Sequence, residues 1–204
     1  DESGAFPIDL IRQAASLGYL GMRAPQAMGG RGMDHVTYVL GIEAVARASA
    51  TMAVILAVHN SLVCDTLASA GTAAQQAAWL PRLITGEVIG AFALSEADAG
   101  TDAANQQTSA TRTPDGYSLT GRKVWVANAE AAEVAIVFAT THPTATTVGS
   151  IGGRTISAFI VPIDTPGLTR VVTADSLGVR GLGCMDLELK DVRVPASNLL
   201  LGAG

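Results

Sequence analysis

Apolar residues recur at helical spacing through the first half of the chain. Ile8, Ile11 and Ala15 form one row and Leu10, Ala14 and Leu17 another. Pro7 stands where a first helical turn tolerates proline, and Gly18 offers a stop. After a turn rich in Gly29, Gly30 and Gly32, Asp34 is placed to cap a second helix with Val39, Ile42, Val45 and Ala46 on one side. From Thr51 to Ala70 the chain is apolar nearly all round, as in a central helix. Thr72 and Gln75 have the spacing of a capping box, opening a helix that runs toward Leu83 and ends at Gly86.

Beyond Gly86 the period shortens. Val88–Leu94 reads as a strand. Ser109–Arg112 and Tyr117–Thr120 flank the turn signal Pro114-Asp115-Gly116. Lys123–Val126, Val134–Thr140, Ile156–Pro162 and Leu187–Val194 are further short β-rich runs, and Pro143–Arg154, rich in Thr and Gly, reads as a loop. Helices first and strands second predict an α+β protein rather than an alternating βαβ fold. The expected organisation is a helical domain over residues 1–86 and a β-rich domain over 87–204. No internal repeat is visible.

Composition narrows the function. Hydrophobic residues make up 49% and charged residues 15% of 204, ample for a packed core. A net charge of −5 argues against a nucleic-acid binder. Cys64 and Cys184 are far apart with no CxxC, so neither a disulfide framework nor a zinc site is expected, and a reducing compartment fits. His35, His59 and His142 do not fall at metal-ligand spacing. The opening Asp-Glu-Ser-Gly has no signal-peptide character. The longest apolar stretch, Met52 to Val63, is interrupted by His59, Asn60 and Ser61 and reads as too short and too polar to span a bilayer.

The usual nucleotide and hydrolase motifs are missing: no phosphate loop, no GxGxxG after a strand, no GxSxG and no HExxH. Two runs remain. FALSEADAGTDA, Phe92 to Ala103, leaves a predicted strand with hydroxyls at Ser95 and Thr101 and a small residue at Gly100. Such a loop presents N–H and O–H donors to an anion, or else simply connects two strands. Glu96 within it reads as structural or positioning rather than as a general base. GRKVWVANA, Gly121 to Ala129, carries Trp125, which is either a core residue or a flat surface for a planar ring.

Together these runs resemble the acyl-CoA dehydrogenase family over essentially the whole chain. IGAFALSEADAGTDA is similar to that family's T/S-E-P-x-A-G-S-D loop, GYSLTGRKVWVANA to its G-x-K-x-W-I-T/S-N segment, and DSLGVRGLGCMDLELKDVRVPASNLLLG to the stretch ending in V-P-x-x-N-x-L. LGYLGMRAPQAMGGRGMD and AVHNSL resemble its amino-terminal helices. The resemblance implies an all-α amino-terminal domain followed by a β-barrel-like middle domain, with FAD bound without a Rossmann fingerprint. A carboxy-terminal helical bundle carrying the catalytic glutamate is expected after Gly204.

By the same resemblance, Phe92, Leu94 and Ser95 line the flavin, and Gly100 and Thr101 approach its phosphate side and the acyl-CoA. Trp125 flanks the isoalloxazine ring with Val126 and Ala127 beside it, and Val58 and Leu62 close the acyl pocket. No residue of the chain matches the catalytic base, so the isolated chain is expected to be inactive. Ala127 stands where the family has Ser or Thr, and Ala97 where it has Pro. The implied reaction is α,β-desaturation of an acyl-CoA, with hydride passing to flavin N5 and electrons to an electron-transfer flavoprotein. The implied setting is a homo-oligomer completed by the third domain, in the cytoplasm or, in a eukaryote, the mitochondrial matrix, with no membrane. A non-catalytic paralogue that binds a partner or acyl-CoA, and an acyl-CoA oxidase-like flavoenzyme, are the alternatives.

Overall fold

The structure, a computed structural model, describes residues 4–141, 155–173 and 176–201. His142 and the loop expected over Pro143–Arg154 lie outside the described residues, as does most of the opening Asp-Glu-Ser-Gly.

The helical layer comes first. Helix α1 spans Ile8–Ser16 behind Pro7, and α2 spans His35–Ala48 with the Asp34 carboxylate accepting from the Thr37 amide. The expected apolar side of α2 needs correcting. Tyr38 is its one buried residue; Ile42 and Val45 only lean on the core, Ala46 is exposed, and Val39 and Leu40 are each 58% exposed. The apolar stripe is wider than the surface α2 has to pack against, chiefly helix α3, Ala50–Ala57.

Helix α3 continues through a π-helical segment, Val58–Cys64, into α4, Asp65–Ala70. The continuous helix is 21 residues long with a mean hydropathy of 1.4, enough by length and composition to cross a membrane; in this respect the expected shortness is corrected. Its apolar sides are committed elsewhere: Ile55 and Leu56 meet Ile11 and Leu20, while Val63 and Leu67 meet the sheet. Helix α5, Ala73–Ile84, opens on the predicted capping box between Thr72 and Gln75. Gln75 Nε2 also donates to the carbonyls of Ser197 (2.7 Å) and Leu199 (3.0 Å), tying the helix start to the far end of the chain.

The strands are β1 Gly90–Ala93, β2 Ser109–Thr113, β3 Gly116–Val126, β4 Val134–Thr141, β5 Thr155–Pro162, β6 Leu168–Val172, β7 Met185–Pro195 and β8 Leu199–Leu201. Two predicted runs, Tyr117–Thr120 and Lys123–Val126, are one strand, because the chain passes through Gly121 and Arg122 without leaving the ladder with β7. The sequence pattern does not mark strands β6 and β8: β6 carries Thr169 and Arg170 on an edge, and β8 is three residues long.

The sheet runs β6-β7-β3-β2-β4-β5-β8, with β1 lying parallel to β4. Among the described residues it does not close, yet residues from distant strands share one interior: Ala91 and Ala93 of β1, Leu119 of β3, Val137 of β4, Phe159 of β5, and Leu187 and Leu189 of β7. That curl gives the middle of the chain its barrel-like character. Strands β4 and β5 are buried on both faces, because Val134, Ile136, Ala158 and Ile160 point the other way, onto Val63, Leu67, Leu80 and Leu83. Helical layer and sheet therefore share a core. The fold is α+β, helices followed by a sheet, as the periodicity predicts.

Candidate functional site

The two informative sequence runs meet at the exit of β1. On β3, Tyr117, Leu119, Gly121 and Lys123 have the same parity, so the alternation that buries Leu119 also turns Lys123 inward. Lys123 is 0% exposed. Its ammonium donates to the Leu94 carbonyl at 2.9 Å, Glu96 Oε1 at 2.8 Å and Gln106 Oε1 at 3.0 Å, using all three of its protons. Glu96 in turn accepts from the amides of Gln107 (2.6 Å) and Thr108 (3.0 Å), and it closes its own turn with Ala99 through reciprocal backbone bonds. Beside this cluster the Val124 amide donates to the Ser95 carbonyl at 2.9 Å. Leu94 and Ser95 are thus stitched to β3 next to Trp125.

Burial alone would raise the Glu96 carboxyl, but the bonds from Lys123 and the two amides outweigh it and hold Glu96 below the ordinary range. Burial pulls the Lys123 ammonium down, partly offset by Glu96. Glu96 is therefore a buried structural anion held by three donors, not a solvated turn residue.

Trp125 is no core residue: it is 58% exposed and its backbone is left-handed, φ +55°. The cause lies in the register. Lys123 faces Leu187 and Val126 faces Met185, so Val124 and Trp125 together oppose Asp186 alone, forming a β-bulge. Asp186 fills the gap. Its Oδ1 accepts from the Trp125 amide at 3.0 Å, and its Oδ2 takes Arg122 Nη2 at 2.8 Å and Nε at 3.3 Å. The indole borders a cleft of about 340 Å³ with Glu130, Val172, Leu182 and Cys184. One wall of it is tied down by Asn128, whose amide donates to the Leu182 carbonyl and whose side chain donates to Ile55 and Gly90.

The remaining predicted positions fall as follows. The Val126 side chain is in the sheet interior, and that of Phe92 packs on Phe138 on the helical side, ring centroids 5.0 Å apart, so each can offer a cofactor mainly its backbone. Ala127 is half-buried. Gly100 and Thr101 are exposed, and a Cβ built on Gly100 meets nothing within 4 Å, so no part of this fold requires glycine there. Val58 is half-buried and Leu62 is 38% exposed, both on the π segment. The structure brings Leu94, Ser95 and Trp125 together, while Val58 and Leu62 sit on the π segment of the long helix.

The run AVHNSL has a packing role at its centre. His59 Nε2 donates to the Leu83 carbonyl at 3.0 Å, and Nδ1 accepts from the Gly90 amide at 3.4 Å. Burial pushes this imidazole down to about 4, so it stays neutral. Asn60 bonds Met22, Tyr19 and Leu56. Sequence reasoning missed Lys123, Asp186 and Asn128. Strand parity could have found Lys123; no comparable signal marks Asp186, whose role depends on a bulge.

Known proteins supply the frame for this geometry. The profile of the acyl-CoA dehydrogenase amino-terminal domain matches residues 1–87, and that of the middle domain matches residues 91–192. Human mitochondrial short-chain specific acyl-CoA dehydrogenase is 37% identical over 200 residues, covering 98% of this chain and 47% of that protein. The butyryl-CoA dehydrogenase structure from Megasphaera elsdenii superposes with a TM-score of 0.87 at 38% identity, covering 98% of this chain and 52% of that one. A glutaryl-CoA dehydrogenase from Mycobacterium smegmatis, in complex with FADH2, gives 0.89 at 33% identity, covering 99% and 49%. The chain thus spans about half the length of the relatives it matches. On the two consecutive domain matches, the chain belongs to the acyl-CoA dehydrogenase family.

Proposed function

We propose that this chain supplies the amino-terminal and middle portions of an FAD-dependent acyl-CoA dehydrogenase. One observation carries the reading: a half-exposed tryptophan on a positive-φ bulge, beside the Leu94–Ser95 backbone and bordering a cleft. The residues fit a flavin. Trp125 offers a flat apolar face, Ser95 and Thr101 offer hydroxyls, and the free volume over Gly100 admits a bulky anion close to the backbone. When bound, FAD supplies the hydride acceptor for oxidation of the Cα–Cβ bond of an acyl-CoA thioester.

The chain's own residues orient and bind. Leu94, Ser95, Trp125, Val126 and Ala127 would hold the ring system, with Phe92 contributing backbone. Gly100 and Thr101 would face the phosphates and the thioester, and Val58 and Leu62 the acyl chain. Glu96 is engaged by Lys123 and two amides, so it is not the proton acceptor. In this reading the base belongs to a carboxy-terminal helical region such as the longer relatives have room for, and the 204-residue chain does not turn over alone. The expected acceptor is an electron-transfer flavoprotein, in the cytoplasm or the mitochondrial matrix, and the assembly a homo-oligomer.

The test is the visible spectrum of the purified chain after incubation with FAD and desalting, followed by acyl-CoA and a dye acceptor. A retained, perturbed flavin band without dye reduction is the expected result. Dye reduction at ordinary rates would overturn the assignment of the base, and a flavin indistinguishable from free FAD at every protein concentration would overturn the cofactor site.

A further inference from the structure

We infer that Asp186 is a positioning residue for Trp125: it locks the β3 bulge that turns the indole outward, and so sets the face offered to the flavin. The inference rests on the flavin reading for its purpose but on geometry for its substance. A bulge disturbs the ladder pairing of the residues within it, here Val124 and Trp125, whose amides must find partners. The Asp186 carboxylate takes the Trp125 N–H at 3.0 Å. A left-handed backbone is unfavourable for a bulky residue and persists only where its surroundings over-determine it. Asp186 provides that determination.

The carboxylate is itself held on two sides. Its residue is 7% exposed, and its second oxygen receives both Arg122 Nη2 and Nε. Arg122 is half-exposed and also stands 3.8 Å from Glu188, whose other oxygen meets Lys190 at 3.5 Å. A buried carboxylate without a cation would be costly, and a guanidinium fork is the group suited to two-point contact. The bulge therefore has three parts: a tryptophan with a strained backbone, a carboxylate that satisfies its amide, and an arginine that neutralises the carboxylate and fixes its rotation. Lys123, one residue past Arg122, points the opposite way to hold Leu94 and Glu96. Neighbouring cations thus secure the two halves of the site independently, Lys123 from inside the sheet and Arg122 from outside.

The experiment reads Trp125 directly. In a Trp79→Phe background Trp125 is the sole tryptophan, so its fluorescence anisotropy and its backbone amide exchange can be followed without a cofactor. Asp186→Leu removes both bonds while keeping the branching of the side chain, and Asp186→Asn keeps an oxygen for the Trp125 amide while weakening the hold on Arg122. Losing a hydrogen bond to a charged acceptor should speed Trp125 amide exchange by about tenfold or more in D186L, with lower anisotropy. D186N should fall between D186L and the parent, the graded rescue that a general loss of packing would not give. FAD titration followed by flavin quenching should weaken in the same order.

Unchanged exchange and anisotropy in a folded D186L protein would overturn the inference. Should D186L not fold, D186A is read by the same criterion. Absence of FAD binding by the parent would sink the flavin reading alone, because the tryptophan signals still decide the role of Asp186.

Discussion

Lys123 Nζ lies 2.8 Å from Glu96 Oε1, and the pair joins strand β3 to the turn that leaves β1. The lysine is fully buried and Glu96 is 9% exposed. Such a pair contributes little net stability against an apolar alternative, but breaking it from one side strands a charge. Lys123→Met should therefore destabilise the chain by about 3–5 kcal/mol. The double variant Lys123→Met/Glu96→Gln should recover part of that loss, because it removes the stranded carboxylate. Urea unfolding of the three proteins measures both. A K123M protein as stable as the parent would show that the pair holds nothing in place.

His59 predicts a pH dependence with a definite sign. The folded imidazole sits at about 4 against an ordinary 6.5, so the unfolded chain binds a proton in a range where the folded chain does not. Stability is complete above 6.5, falls as pH drops from 6.5 toward about 4, and levels off below that for this group, by roughly 3 kcal/mol in all. Glu96, held below its usual range, adds a further loss only at lower pH, as it is protonated. Urea midpoints across this interval should slope accordingly, and His59→Gln should flatten the upper part of the slope.

Trp125 allows stability and cofactor binding to be separated. Trp125→Ala keeps the left-handed backbone and loses the ring, whereas Trp125→Gly loses the ring and relieves the backbone. The glycine variant should be the more stable of the two by about 1 kcal/mol, while both lose flavin quenching equally. Thermal melts alongside FAD titrations test this. An alanine variant at least as stable as glycine would mean that the positive φ carries no strain.

Gly100 offers the converse experiment. Because a Cβ there meets nothing within 4 Å, Gly100→Val should leave the melting curve nearly where it is. If the open volume belongs to the cofactor's phosphates, the same change should weaken FAD binding by about tenfold or more, the effect of one lost charge-assisted hydrogen bond. Undiminished FAD binding by G100V would place the phosphates elsewhere.

How much of this was legible in advance depended on whether a feature is local. The capping box at Thr72 and Gln75 and the cap at Asp34 are contacts over three residues, and they can be read directly from spacing. The hairpin at Pro114-Asp115-Gly116 is equally local. The reach of Gln75 to Ser197 and Leu199 crosses more than a hundred residues, and no spacing announces it. Lys123 is intermediate: its inward parity is visible along β3, but a lysine in a strand normally reads as solvent-facing, and only the acceptors at Leu94, Glu96 and Gln106 explain the exception. Trp125 divides in the same way. Its place on a strand is a matter of pattern, and its exposure is a matter of the bulge opposite Asp186, which exists only in the paired sheet. The overwide apolar stripe of α2 misled for a related reason, since hydrophobicity marks what a helix could bury and not what lies beside it.

The π segment Val58–Cys64 works as a phase shifter in the long helix. An ordinary helix advances about 100° per residue, so a widened turn rotates everything after it by roughly the angle of one residue relative to everything before. Ile55 and Leu56 upstream and Val63 and Leu67 downstream can thus face different partners, the first pair toward α1 and the second toward the sheet, along a helix with no kink-forming proline. Shortening the segment by one residue would leave composition and length almost untouched, yet it would bring the two halves back into step and turn one of them away from its partner. The chain would then keep all its helical propensity and lose the seam where His59 meets Gly90, at the root of the strand that leads to the candidate site.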